Sequence, residues 1–363
     1  MTSHIGLQKS ELDTPALLLD LDDFEKNLVR MQSYLDEHSV SLRPHFKAHR
    51  TPDITRRQIE RGAKGVTCAK LGEAEHLASL GFDNLLVANQ VAGDIKLKRL
   101  AELSKTTEVI VAVDSEELVD ATDVAARENG TTIDLIIEVD LGMSRCGVTP
   151  FEPTVSLAKT ITDKHHLRFR GLMGYEGHLV DLPPGGKKDS QIRSTVALLT
   201  GTAEQLKQEN IPVEIVSSGG TGSYHVTATC PGVTELQCGS YFVGDTMFSN
   251  CGVDFEPAGS ILGTVVSCPE TDRVVTDCGM KTLQSQFGMP VMRSHPGWEL
   301  QPLSAEHGQL KRVGDGADIK IADRIEFDIF YCDGNINLHE QWFCMRNERV
   351  EDVWEISGRG KSQ

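Results

Sequence analysis

Lys47 stands in the run Pro44-His45-Phe46-Lys47-Ala48-His49-Arg50. A lysine set between basic and apolar neighbours can serve as a nucleophilic amine that condenses with a carbonyl, although a surface lysine in a basic loop reads the same way. Further on, Ser217-Ser218-Gly219-Gly220-Thr221-Gly222-Ser223-Tyr224 forms a glycine-rich turn. Its backbone N–H groups and hydroxyls could wrap a phosphate dianion at a helix start; alone, it could equally be a plain tight turn. Taken together, the amine and the cradle match what a phosphorylated aldehyde cofactor requires: one end anchored, the carbonyl end within reach of the lysine.

Two more stretches belong to this chemistry. Arg145, in Gly142-Met143-Ser144-Arg145-Cys146-Gly147, is a permanent cation that could donate to a pyridine nitrogen and keep that nitrogen unprotonated; the alternative is a salt bridge at a barrel rim. An unprotonated ring is a weaker electron sink, so other groups would have to stabilise charge developing on the substrate. In Gly174-Tyr175-Glu176-Gly177-His178, Tyr175 could pack on or hydrogen-bond the cofactor, while Glu176 and His178 read as loop-stabilising.

These residues need a frame that brings them to one place. Short strand-like runs are expected near Ser41–Phe46, Gly65–Cys68, Asn84–Ala88, Glu108–Val113, Ile133–Val139, Arg168–Met173, Val213–Val216 and Glu235–Gln237. Between them, stretches such as Glu73–Leu80, Lys96–Leu103, Glu116–Glu128 and Ser190–Gln208 carry apolar residues at helical spacing. Eight βα units in series predict an α/β fold of the (β/α)8 barrel type, with a doubly wound open sheet as the competing arrangement. In a barrel the reactive groups project from the C-terminal ends of the strands. Lys47, Arg145, Tyr175 and the 217–224 turn all follow expected strands.

After residue 255 the pattern changes to strands near Ile261–Val266, Arg273–Thr276, Ile319–Phe327 and Val353–Ile356, punctuated by turn signals. The expected division is a barrel over residues 16–250 and a mostly β second domain formed by 1–15 and 251–363. The strand-like segment Thr14-Pro15-Ala16-Leu17-Leu18-Leu19-Asp20-Leu21 is expected to join the C-terminal sheet, which makes that domain discontinuous.

Composition narrows the partners. The chain has 363 residues, a formal net charge of −17, 39% hydrophobic and 6% aromatic residues, a globular profile. Its acidic balance argues against nucleic acid, whose binding rests on clustered Lys and Arg. The absence of a long apolar run and of a basic, apolar start leads to expectations of no membrane partner and a cytoplasmic location. Nine cysteines with no C-x-x-C pair suggest reduced, mostly buried thiols.

At these motifs the chain resembles the D-threonine aldolase and D-serine dehydratase group of fold-type III pyridoxal-phosphate enzymes, relatives of alanine racemase that include 3-hydroxy-D-aspartate aldolase. The likeness continues through Thr234-Glu235-Leu236-Gln237-Cys238-Gly239-Ser240-Tyr241, Asp277-Cys278-Gly279-Met280-Lys281, Glu306-His307-Gly308 and Ser357-Gly358-Arg359-Gly360-Lys361. It implies an alanine racemase-like barrel plus β-domain, with pyridoxal 5'-phosphate as cofactor and homodimers with active sites at the interface. Lys47 would be the Schiff-base lysine and Arg145 the pyridine partner. Tyr175, Ser218, Gly220, Thr221, Gly222 and Tyr241 would surround the cofactor. The implied substrate is a small D-β-hydroxy amino acid, cleaved by a lyase to glycine and an aldehyde. A D-amino acid dehydratase, a racemase or a non-catalytic pyridoxal-phosphate carrier are the alternatives.

One position departs from the pattern. The family's divalent-metal motif, His-x-Cys or His-x-Asp, falls on Tyr331-Cys332-Asp333 when counted back from Asn337-Leu338-His339-Glu340. Asp333 is kept as a ligand for Mn, Mg or Zn, but tyrosine replaces histidine. Neutral imidazole is a common ligand, whereas tyrosine with an ordinary pKa of about 10 is a poor one near neutrality. Either Asp333 holds a metal with another group, such as Tyr331 or His307, or Tyr331 acts as acid or base itself; a lost or weakened metal site is the expectation.

Overall fold

The computed structural model describes residues 4–363. Its first strand, β1 (Ala16–Asp20), leads into a helix over Leu21–Glu37. Eight parallel strands follow: β2 (Ser41–Leu42), β3 (Val66–Cys68), β4 (Leu85–Gln90), β5 (Val109–Val113), β6 (Ile133–Glu138), β7 (Leu167–Met173), β8 (Ile215–Ser218) and β9 (Glu235–Leu236). They pair in the order β2-β9-β8-β7-β6-β5-β4-β3. The two ends meet, because Lys64 N donates to Leu42 O at 2.8 Å, Thr67 N donates to Pro44 O at 2.9 Å and His45 bridges Thr67. The expected barrel is the observed one.

Alternation along the strands builds two apolar layers. Leu85 and Val87, Val109 and Val111, and Leu135 and Ile137 pack outward in one cluster with the helices. Leu86, Ile110, Ala112, Ile136, Met173 and Ile215 fill the barrel interior in another. Helices over Leu71–Ser79, Asp94–Leu103, Glu116–Asn129 and Gly186–Gln208 lie where helical spacing placed them.

The remaining strands are β10 (Gly259–Glu270), β11 (Arg273–Thr276), β12 (Val291–Met292), β13 (Trp298–Leu300), β14 (Gly308–Arg312), β15 (Arg324–Asp328), β16 (Gln341–Arg346) and β17 (Arg349–Glu355). With β1 they form a nine-stranded sheet whose main path runs β13-β14-β11-β10-β1-β16-β17. As expected, the opening strand joins this sheet: β1 pairs antiparallel with β10 and parallel with β16. Two expected strands are corrected. The one set at Ile319 begins only at Arg324, because the Asp323 carboxylate accepts Lys320 N at 2.7 Å in a turn that holds Ala322 at φ 71°. The one set at Val353 begins earlier, at Arg349.

Two compact units result. The barrel unit comprises Met31–Lys47, Thr55–Gly239 and Gly360–Gln363; the sheet unit comprises the chain up to Arg30, Ala48–Ile54 and Ser240–Arg359. The expected division at 15/16 and 250/251 differs from this one: β1 lies with the large sheet, and the 240–250 stretch, including Tyr241, falls in the sheet unit. Among the described residues no helix is long and apolar enough to cross a membrane, and all nine cysteines are free thiols, with Cys146 the exposed one.

Candidate active site

Lys47 sits in a single 3-10 turn, Phe46–Ala48, directly after β2. Phe46 and Ala48 are buried beside it while Lys47 itself is exposed, so the turn is pinned by its neighbours and presents the lysine at the strand's C-terminal end. The glycine-rich turn follows β8. In the sheet order only β9 separates β2 from β8, which sets the two elements about 10 Å apart at the usual ~4.8 Å strand spacing.

The turn is built around one carboxylate. Glu176, just after β7, is fully buried. Its Oε2 accepts Ser218 Oγ at 3.0 Å and Gly219 N at 3.3 Å. Its Oε1 accepts Ser223 Oγ at 2.7 Å and also the Thr227 hydroxyl. Gly220 N in turn donates to Ser223 Oγ at 3.2 Å. Gly219 adopts φ +72°, a left-handed conformation that glycine reaches without a Cβ penalty.

Two observations at this turn fit a phosphate. Thr221 is buried, at 4% exposure, yet its Oγ1 has no hydrogen-bond partner among the described residues; a buried hydroxyl left unmade is costly and calls for a ligand or water. The half-buried Tyr175 ring lies over Gly220 so closely that an added Cβ would stand 3.1 Å from its Oη. Ser218, expected as a cofactor contact, instead spends its hydroxyl on Glu176 and on Gly174 O at 2.9 Å. Gly222 is buried in the same turn.

Arg145 is exposed on the loop after β6, with Nη2 3.6 Å from Glu138 Oε1. Glu138 ends β6, is buried, and accepts Gln90 Nε2 from the end of β4 at 2.6 Å. The loop is held by Asp140 Oδ1, which accepts Gly142 N at 2.9 Å and Ser144 N at 3.2 Å. Gly147, at φ +113°, passes so close to Asp140 N that a Cβ would lie 2.6 Å from it. Gln90 and Glu138 were missed in the sequence; the available signal was a polar residue closing an otherwise apolar barrel strand.

The other expected residues lie in the sheet unit. Tyr241, in the turn Ser240–Phe242, is buried with its ring centroid 6.0 Å from that of Phe255. Tyr331 precedes the short helix Cys332–Ile336 and meets Phe287 edge-on at 4.7 Å. Burial pushes its phenol well above the ordinary range, and its hydroxyl donates to the Asp333 carboxylate. Beside them Asp245, raised to about 7 chiefly by burial, accepts Cys332 N at 3.0 Å. His307 is exposed in the turn before β14, where its carbonyl accepts Ser304 N at 3.0 Å.

A lysine and a glycine-rich turn after strands β2 and β8 of a parallel barrel, in a chain with a separate β-sheet unit, have the layout of an alanine racemase-like architecture. Residues 19–247 match the family described as alanine racemase, N-terminal domain, and residues 258–345 match the putative serine dehydratase domain. Within this class the chain belongs to the family of D-threonine aldolase and 3-hydroxy-D-aspartate aldolase. It is 34% identical to a D-threonine aldolase of an Arthrobacter species over 98% of this chain and 94% of that one. It is 33% identical to a 3-hydroxy-D-aspartate aldolase of Paracoccus denitrificans, with the same coverage. A crystal structure of D-threonine aldolase from Filomicrobium marinum superposes with a TM-score of 0.96 at 32% identity, covering 99% of both chains.

Proposed function

We propose that this chain is a pyridoxal-phosphate-dependent lyase that cleaves the Cα–Cβ bond of D-β-hydroxy amino acids, giving glycine and an aldehyde. The observation that carries the reading is the buried, unpartnered Thr221 hydroxyl, next to Gly220 against which Tyr175 packs, on the same barrel mouth as Lys47, in a chain similar throughout to aldolases of this chemistry. These residues fit the cofactor: Lys47 would hold its aldehyde carbon, Thr221 and the surrounding turn its phosphate, and Arg145 its ring nitrogen. When bound, the cofactor supplies a sink for the electron pair released as Cα–Cβ breaks.

The chain's own groups do the rest. Arg145, anchored through Glu138, is a permanent cation that leaves no proton to give the ring nitrogen. Tyr175 covers the turn and limits water there. Cleavage requires loss of the β-hydroxyl proton. Within the sheet unit, Tyr331, whose hydroxyl donates to Asp333, is the group we assign acid–base character.

A divalent metal does not fit the donors around Asp333. The Tyr331 hydroxyl already donates to that carboxylate, burial disfavours phenolate, and among the described residues no three His, Cys, Asp or Glu side chains gather as cation ligands. We therefore assign Asp333 no metal and His307 no ligand role. The reading extends to a cytoplasmic homodimer, whose stoichiometry light scattering would measure.

The test is to incubate cofactor-loaded protein with D-threonine or D-3-hydroxyaspartate, in Mn²⁺ or in EDTA, and quantify glycine against keto acid. Glycine that survives EDTA is expected. Glycine that requires Mn²⁺ would overturn the metal-free assignment, keto acid would move the activity to dehydration, and neither product would sink the lyase reading.

A further inference from the structure

Glu176 takes no part in the chemistry above, yet it accepts four hydrogen bonds at the barrel mouth. A fully buried carboxylate ordinarily demands a cation. Here three hydroxyls and one amide meet it instead: Ser218 Oγ at 3.0 Å, Gly219 N at 3.3 Å, Ser223 Oγ at 2.7 Å and the Thr227 hydroxyl. These donors come from the end of β8, from the turn and from the short helix Tyr224–Thr227 behind it. One side chain on the neighbouring strand's loop thus ties together both flanks of the glycine turn. Thr221, at the centre of the turn, is left out of this network with its hydroxyl unmatched.

We propose that Glu176 is a positioning residue that sets the 218–223 turn in its phosphate-receiving form before any ligand arrives. Its two oxygens consume the donors flanking the turn, fix Ser223 Oγ as the acceptor for Gly220 N at 3.2 Å, and leave the turn's centre, with Thr221 Oγ1, to the ligand. Without the carboxylate, the flanking hydroxyls are released to rotate and Gly219 N–H is left buried without its acceptor. The turn must then be ordered at the expense of binding. The effect is confined to the phosphate end, because Lys47 follows a different strand. This inference rests on the turn being the phosphate site.

The experiment titrates cofactor-stripped protein with pyridoxal 5'-phosphate and with pyridoxal, which lacks the phosphate, following visible absorbance. Wild type is expected to prefer the phosphorylated form by at least about a hundredfold, since a phosphate dianion engages several charge-assisted hydrogen bonds. Glu176→Gln is expected to weaken pyridoxal phosphate about tenfold and leave pyridoxal unchanged, each lost buried acceptor being worth about that factor. Thr227→Val, isosteric and removing one donor, serves if Glu176→Gln fails to fold, and is expected to give a loss of about threefold, again for the phosphorylated ligand alone. A wild type that binds both ligands equally would overturn the phosphate assignment of the turn. A wild type with the preference, whose variants keep it in full or lose both ligands alike, would overturn the role of Glu176 and leave the turn's assignment standing.

Discussion

The two ends of the barrel treat buried charge differently. At the N-terminal ends of the strands, the buried carboxylates Glu235 and Asp134 meet arginines. Arg43, fully buried, donates Nε to Glu235 Oε1 at 2.8 Å and Nη1 to Asn84 O at 2.7 Å. Arg170 reaches Glu214 at 2.8 Å and Glu108 at 3.1 Å, and shares Asp134 with Arg168. At the C-terminal ends, Glu176 is met by neutral donors, Glu138 by an amide and a more distant guanidinium, and Thr221 by nothing among the described residues. A matched ion pair has no capacity left for a ligand. A carboxylate held by hydroxyls orders a surface while leaving the Thr221 hydroxyl at its centre for binding. Chemistry belongs at the second end and rigidity at the first, as barrels generally arrange it.

That contrast predicts opposite phenotypes. Lys47→Ala should lower turnover by roughly a thousandfold or more, as loss of a covalent-catalysis nucleophile does, and should abolish the absorbance band of cofactor joined to the lysine as an imine. Its unfolding midpoint in urea, measured without cofactor, should stay near wild type because the side chain is exposed. A Lys47→Ala protein that keeps turnover would place the chemistry elsewhere.

At the opposite end the effect should fall on stability alone. Arg43→Met strands the buried Glu235 carboxylate and should cost about 3–5 kcal/mol of unfolding free energy, the usual penalty for breaking a buried pair. The turnover of the folded fraction should be unchanged. Arg43→Met with Glu235→Leu should recover much of the loss, since an apolar replacement removes both charges together. Gly65 belongs to the same device: an added Cβ would lie 2.2 Å from Asn84 O and 2.5 Å from Arg43 Nη1. Equal loss in the single and double variants would show that packing, rather than charge, closes this end.

What could be read in the sequence follows the range over which each signal acts. The barrel strands announced themselves as β-branched runs, and Lys47 and the glycine turn by residue type. Glu176 did not, because Gly-Tyr-Glu-Gly-His gives no sign that β7 and β8 pair so as to place it beside Ser218 and Thr227, more than 40 residues away. Ser218 was recognised by type but not by role, since its hydroxyl answers Glu176. The hairpin of β16 and β17 was half missed because its turn holds Asn347 and Glu348 at φ 50° and 60°, where a tight hairpin ordinarily signals itself with glycine.

The smallest effect separates the sheet unit from the barrel by pH. His339 is buried, and its ring lies with Nε2 2.8 Å from Thr282 O, so the neutral ring donates there. Burial lowers its pKa first, with Arg359 adding to that and the Thr282 carbonyl opposing it. The folded state therefore binds the proton less tightly than the unfolded chain. Its contribution is fully present above the ordinary histidine value near 6.5 and is lost as pH falls through the lowered folded value. His339→Gln keeps a donor for Thr282 O without a titrating group. Urea unfolding at pH 7.5 and pH 5 should show the wild type losing about 1 kcal/mol more than the variant. Parallel losses in the two proteins would assign the acid sensitivity to other groups and remove His339 from the comparison.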